Sequence, residues 1–270
     1  MIYIMVRRRP LYYAIKYNKE KAIELLLEHG AAPKYPSSSL YLLCYMKISD
    51  GSNMHIIDAL LQIGINPLRT SGDFKSTSSP LIIAINKNLI DVAKLMINRC
   101  IGVCDIRLIG RHLRISVEMN RTEIAKLLLE DHRININHKR RSNGDTIIHT
   151  VINKKNKDLL LHIISKHNID TSRYNFKRHT LFHKAIITRQ YDILEELLRI
   201  DLDVSKRMIQ MTEVISSVES CVHMAARRGD IKALDVMLPY ITDMNLLDHD
   251  QNTPIQVAKG EAIEWLTTHS

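Results

Sequence analysis

The stretch His179-Thr180-Leu181-Phe182-His183-Lys184-Ala185 decides the reading of this chain. A threonine directly before an apolar pair can cap the first turn of a helix with its hydroxyl, satisfying orphan backbone donors. The same order of residue types stands at Asp145-Thr146-Ile147-Ile148-His149-Thr150-Val151 and at Ser220-Cys221-Val222-His223-Met224-Ala225-Ala226. Looser copies are Arg9-Pro10-Leu11-Tyr12-Tyr13-Ala14, Ser79-Pro80-Leu81-Ile82-Ile83-Ala84 and Asn252-Thr253-Pro254-Ile255-Gln256-Val257-Ala258. In these, Pro10, Pro80 and Pro254 fit the first helical position, where a missing N–H costs nothing.

Working outward, one apolar position per copy marks the register: Leu11, Leu40, Leu81, Leu113, Ile148, Phe182, Val222 and Ile255. Their mean spacing is about 35 residues, which falls among the periods of stacked-repeat architectures. A second marker checks this independently. An apolar pair falls 15 and 16 residues later as Leu26-Leu27, Met96-Ile97, Leu128-Leu129, Ile163-Ile164, Leu197-Leu198 and Met237-Leu238. The second unit departs, with Leu60-Leu61 displaced by the turn cluster Ser49-Asp50-Gly51-Ser52-Asn53. The pattern therefore predicts about eight helix-turn-helix units over 1–270, each with an apolar face that only a neighbour can cover.

These segments resemble the T-P-L-H-x-A signature of ankyrin repeats. The resemblance implies an all-α ankyrin-repeat solenoid with projecting finger loops. It also implies that His149, His183 and His223 are structural, each bonding neighbouring loop backbone. The second helix of each unit should end on a left-handed residue, a place suited to glycine. Gly30 and Gly64 supply one; elsewhere the position holds Cys100, His132, His167, Asp201 and Ile241, of which His and Asp tolerate that conformation best. Ile241, close after Pro239, predicts a different bend in the seventh unit. At the ends, Ile263, Trp265 and Leu266 read as a capping helix, and the strip Met1–Val6 either packs over the first unit, continues from a longer chain or docks on something else. The composition, rich in Ile, Asn and Lys, is similar to the divergent repeats of viral or intracellular-parasite proteins.

Apolar residues make up 45% of the 270 and charged ones 25%, enough to fold without a membrane or a disordered ensemble. No apolar run reaches the length of a membrane span, and Met1–Val6, followed by three arginines, is short for a secretory core, so a soluble, intracellular, cytoplasmic or nuclear setting is expected. Cys44, Cys100, Cys104 and Cys221 have no C-x-x-C spacing, which argues against a disulfide framework or a zinc site. The phosphate-cradle, nucleophile-elbow and zinc-helix motifs are all missing, so no catalytic residue, cofactor or metal ligand is nominated. His179 and His183 have metal-like spacing, but the second is the structural histidine and the first precedes the helix.

The formal net charge is +9. Part of it, including Lys87, Arg121, Lys154, Lys155, Arg189, Arg227 and Arg228, falls in turns between paired helices, where cations complement the helix dipole. Another part does not. The fingers ahead of the fifth, sixth and seventh units carry His138-Lys139-Arg140-Arg141, Arg173-Tyr174-Asn175-Phe176-Lys177-Arg178 and Lys206-Arg207. Stacking would align them, and arginine and tyrosine are residue types that anchor interfaces. The resemblance implies that the finger tips and the inner face of the first helices form a concave binding surface, so Arg140, Arg141, Tyr174, Phe176, Lys177, Arg178, Lys206 and Arg207 are the candidate contacts for a protein partner with an acidic segment. Nucleic acid stands behind protein as a ligand, and the resemblance also implies a ubiquitin-ligase adaptor as an alternative. The link from the sixth to the seventh unit is long, and its Met208-Ile209-Gln210-Met211 is apolar enough to fold back as a flap.

Overall fold

A computed structural model describes residues 10–31, 44, 47–48, 54–69, 79–210 and 219–269. The Leu40 marker, the 49–53 turn cluster, Met1–Val6 and Met211 lie outside these residues. Contacts divide the chain into two compact units, residues 1–134 and 135–270.

The first unit holds α1 (Pro10–Lys16), α2 (Glu20–Glu28), α3 (Met54–Gln62), α4 (Pro80–Lys87), α5 (Ile90–Asn98), α6 (Ile106–Glu118) and α7 (Thr122–Leu129). Paired helices pack on each other and then on the next pair: α4 meets α5 and α6, and α5 meets α7. Leu81, Met96, Ile97, Leu113, Leu128 and Leu129 are buried where the period places them. Burying side chains of this size stabilises by about 1.5–3 kcal/mol each relative to leaving them in water.

The second unit holds α8 (Ile147–Asn153), α9 (Lys157–Lys166), α10 (Leu181–Ile187), α11 (Tyr191–Ile200), α12 (Leu202–Gln210), α13 (Cys221–Arg228), α14 (Ile231–Met237), a 3-10 turn (Leu238–Tyr240), α15 (Pro254–Val257) and α16 (Ala262–His269). First helices form one row, α8 on α10 on α13 on α15, while α11 packs on α14 behind them. Among the described residues the extended structure amounts to one bridge, Tyr174 to Thr180. The α16 cap is covered as expected: Trp265 Nε1 donates to Asp235 Oδ1 at 2.7 Å, and its ring stacks on His269. Pro239 opens the 3-10 turn and Ile241 leaves it extended, the altered bend that these residues predict.

Gly30 and Gly64 are left-handed as expected, at φ 73° and 90°, but the other positions are not. His132, His167 and Asp201 do not adopt positive φ; His167 and Asp201 are extended, because the chain must leave the second helix straight rather than fold back. The sharp reversal is instead inside each helical pair, at Asn18, Asn88, Asn120, Lys155, Arg189 and Gly229, with φ between 55° and 63°. The next N–H then closes onto a carbonyl five residues back, as in Leu89 to Ala84 at 2.9 Å and Gln190 to Ala185 at 2.9 Å. Those turns also explain part of the charge. Arg121 donates to the carbonyls of Ile85 and Asn86 at 3.1 and 2.9 Å, Gln190 to Ile152 at 2.7 Å and Arg228 to Ile187 at 3.4 Å. Each side chain satisfies orphan carbonyls at the end of the preceding first helix, a more specific role than dipole complementation alone.

Candidate functional site

The fingers stand on a repeated joint. Thr180 is the N-cap of α10: its hydroxyl lies 2.8 Å from His183 Nδ1, and its own N–H donates to that nitrogen at 3.3 Å. Nδ1 is therefore an acceptor and Nε2 carries the proton, which is donated to the Glu219 carbonyl at 3.0 Å. His149 repeats the arrangement with Thr146 behind it and the His179 carbonyl ahead at 3.2 Å, and His223 with Ser220 behind it and Asn252 ahead at 3.0 Å. Each imidazole thus pins the backbone just ahead of the next repeat's first helix, which for His149 is the base of the sixth finger. Burial pushes His149 and His183 down to about 4, so both are neutral at physiological pH. With both ring nitrogens of His183 bonded, the stacked His179–His183 pair offers no shared pair of open ligand atoms.

From these bases project residues 138–145 and 173–180, and the two fingers are stitched side by side. The Phe176 N–H donates to the Asn143 carbonyl at 2.9 Å, and Asn175 Nδ2 donates to Asp145 Oδ1 at 2.8 Å. Asp145 is buried and also receives Asn143 Nδ2 at 2.8 Å, so one carboxylate organises both loops. Gly144 has φ +73° and lies against Phe176; a Cβ there would sit 2.6 Å from the ring and 2.7 Å from the backbone nitrogen. Phe176 itself is 64% exposed. Beside it, Tyr174 is held between two cations, with Lys139 Nζ 4.0 Å and the Arg178 guanidinium carbon 4.7 Å from the ring centre.

The structure therefore brings together Arg140, Arg141, Tyr174, Phe176, Lys177 and Arg178. Among the described residues, Arg141, Lys177 and Arg178 form no ion pair, whereas Arg173 is tied to Asp170 at 2.6 Å. Lys206 and Arg207 do not join the row, which corrects the expected third finger. They lie on α12, a helix packed on α11, α13 and the 3-10 turn. Ser205 and Ile209, at helical spacing, are its fully buried positions; Lys206 is half-buried, and the side chain of Arg207 lies outside the described residues. The described part of the long link, Leu202–Gln210, is thus a helix folded onto the stack.

A cleft of about 290 Å³ opens beside the sixth finger, lined by Lys177, His179, His183, Glu219, Met224, Arg227, His249 and Asp250. Sequence reasoning missed this lining because its members come from three repeats. Arg227, read as a dipole complement, bonds Glu219 at 2.8 Å and Asp248 at 3.5 Å. Asp248, His249 and Asp250 gather donor atoms within 4.8 Å. The Asp248 carboxylate is already committed, however, with Oδ1 receiving the N–H groups of Asp250 and Asn252 at 2.9 Å, so the trio is a turn rather than a metal cage.

A family model for ankyrin repeats, in three copies, matches residues 113–208. Residues 113–208 are thus ankyrin repeats. Over 134 residues, 48% of its length, the chain is 28% identical to a putative ankyrin repeat protein of fowlpox virus (strain NVSL), and the match spans 39% of that relative. Its fold is similar to the crystal structure of the ankyrin repeat domain of Bcl-3, a member of the IκB family, at a TM-score of 0.60 and 14% identity, over 96% of this chain and 97% of that one. Ankyrin repeats in general are protein–protein interaction modules and are typically non-enzymatic.

Proposed function

We propose that this ankyrin-repeat protein captures an acidic segment of a partner protein across the paired fingers at 138–145 and 173–180. The observation that carries this reading is Phe176: a large apolar ring fixed by its backbone bond to Asn143, largely in water, within a row containing Arg141, Lys177 and Arg178. A ring held in place among cations can anchor an interface, and the surrounding cations select a partner of opposite charge. Arg141 and Lys177 meet carboxylates of the partner, Phe176 takes an apolar side chain, and Tyr174 holds Arg178 and Lys139 in position. The reading is one of a binding module without catalysis, acting inside the cell, where the buried thiols of Cys44, Cys100 and Cys221 stay reduced.

The test is binding of a labelled Glu/Asp-rich peptide by the intact chain and by R141E/K177E, with circular dichroism as the folding control. Affinity should fall by about tenfold or more for the pair of reversals, and more steeply still with F176A added. Unchanged binding by a folded variant overturns the reading. A single-stranded RNA of the same length distinguishes the alternative ligand: tighter binding than the peptide, lost steeply as salt rises, would assign the fingers to nucleic acid instead.

A further inference from the structure

The fifth finger carries Lys139-Arg140-Arg141-Ser142, and nothing in the binding reading uses the serine. Ser142 is exposed in the turn that reverses this finger, and its hydroxyl makes no hydrogen bond among the described residues. The turn is closed around it rather than through it: Gly144 N–H bonds the Arg140 carbonyl at 2.8 Å and Arg140 N–H bonds the Asp145 carbonyl at 2.9 Å. Other described hydroxyls close after a cation are committed elsewhere. Ser116 is fully buried, Thr188 donates to the Lys184 carbonyl at 2.8 Å, and Thr122 is the first residue of α7. Ser172 is bonded to the Asp170 carboxylate, which places negative charge directly before it.

We infer that Ser142 is a phosphorylation site for a basophilic serine kinase, one whose substrate cleft presents carboxylates to cations on the N-terminal side of the hydroxyl. Charge patterns of this kind are how kinases choose among exposed serines. In the transfer, a bond forms between Ser142 Oγ and the γ-phosphorus of MgATP, the bond from that phosphorus to the β,γ-bridging oxygen breaks, ADP departs with that oxygen, and the hydroxyl proton passes to the kinase's catalytic carboxylate. The product adds about two negative charges at neutral pH and three acceptor oxygens. Arg141 is its sequence neighbour, and the adjoining Asn143 carbonyl already touches Phe176. The phosphate therefore engages the cations that an acidic partner needs, and the modification releases that partner. This last consequence rests on the proposed function; the modification itself does not.

The experiment incubates the intact chain with MgATP and the catalytic subunit of cAMP-dependent protein kinase, reads intact mass, and maps the site. One phosphate on Ser142 is expected, absent in S142A and slowed about tenfold or more in R140A/R141A. No incorporation, or incorporation that S142A does not remove, overturns the assignment. The second arm compares the acidic peptide's affinity for the phosphorylated and unmodified chains, with a loss of at least about tenfold expected. An unchanged affinity at full phosphorylation overturns the release. If the unmodified chain fails to bind the peptide at all, the finger reading falls, while the mass result still decides the site.

Discussion

Residues 99–112 and residues 167–180 each connect one repeat to the next, yet half of the first is helix and the second is a finger. In the first, α6 starts at Ile106 behind the Asp105 cap and buries Ile109, His112, Leu113, Ser116 and Val117 at helical spacing. His112 looks backwards: Nδ1 bonds the Leu108 carbonyl of its own helix at 2.7 Å, and Nε2 bonds Ser79 of the preceding repeat at 2.6 Å. In the second, Thr180 caps the start of the helix and His183 looks forward to Glu219. The position equivalent to Thr180 in the first joint is Arg111, which cannot cap, so the helix grows backwards through the space a finger would have used. A threonine-x-x-histidine pair thus makes the finger, and with it the proposed binding surface.

Acid should break this difference most severely. His149 and His183 are lowered to about 4 by burial against an unfolded value of 6.5, with Lys184 and Lys139 lowering His149 further and its bond to the His179 carbonyl and the Asp145 charge acting against that. A depressed folded pKa means that the stability is fully present above pH 6.5 and is lost as pH falls towards 4. At pH 5 the loss is about 2 kcal/mol per histidine, or roughly 4 kcal/mol for the two. His112 is also lowered, but it is a single group in its unit. Hydrogen exchange at pH 7.5 and pH 5 should show amides of α8 and α10 losing protection before those of α6; the reverse order would separate finger formation from these histidines.

Two glycines sharpen the comparison because they should respond with opposite sign. Gly144 in the finger has a left-handed φ and Phe176 within van der Waals distance, so Gly144→Ala should destabilise by about 1–3 kcal/mol and expose the Phe176 amide to exchange. Gly110, in the helical joint, has nothing within 4 Å of where its Cβ would lie. There, Gly110→Ala should stabilise by about 0.5–1 kcal/mol. Urea unfolding of the two variants measures both. A next, smaller effect belongs to Thr180→Ala, which removes the cap while leaving His183 in place and should cost about 1–2 kcal/mol on the same measurement.

How much of this was legible follows from how local each signal is. Leu81, Ile148, Phe182 and Val222 announce the repeats because burial recurs with a period that a single chain displays, and the Thr-His pairs are four residues wide. The left-handed turns at Lys155 and Arg189 were invisible because neither residue type advertises positive φ; the surrounding helices force it. The helix α12 was hidden by its charges: Asp203, Lys206 and Arg207 look like a loop until Ser205 and Ile209 are seen on one buried face. Of the candidate site, the residue types and their alignment in two fingers were readable from the spacing. The Lys139–Tyr174–Arg178 stack was not, since its members join only when neighbouring repeats are in contact.

That stack gives the smallest effect and the finest distinction. Cation–ring attraction at a partly exposed site is worth about 0.5–1 kcal/mol and depends on the ring face, not on the phenol hydroxyl. Tyr174→Phe keeps the face and should leave urea stability and peptide affinity unchanged. Tyr174→Leu keeps apolar bulk but offers no face to Lys139 and Arg178, so stability should drop by about 0.5–1 kcal/mol. If both variants lose equally, the hydroxyl is the working group and the cations are neighbours only. If neither loses, the fingers are held by Asp145 and the Asn143–Phe176 backbone bond alone, and the cations would then owe their positions to the backbone. Helical joints such as 99–112 provide the control, because no ring lies between cations there among the described residues, and the same substitutions have no counterpart to make.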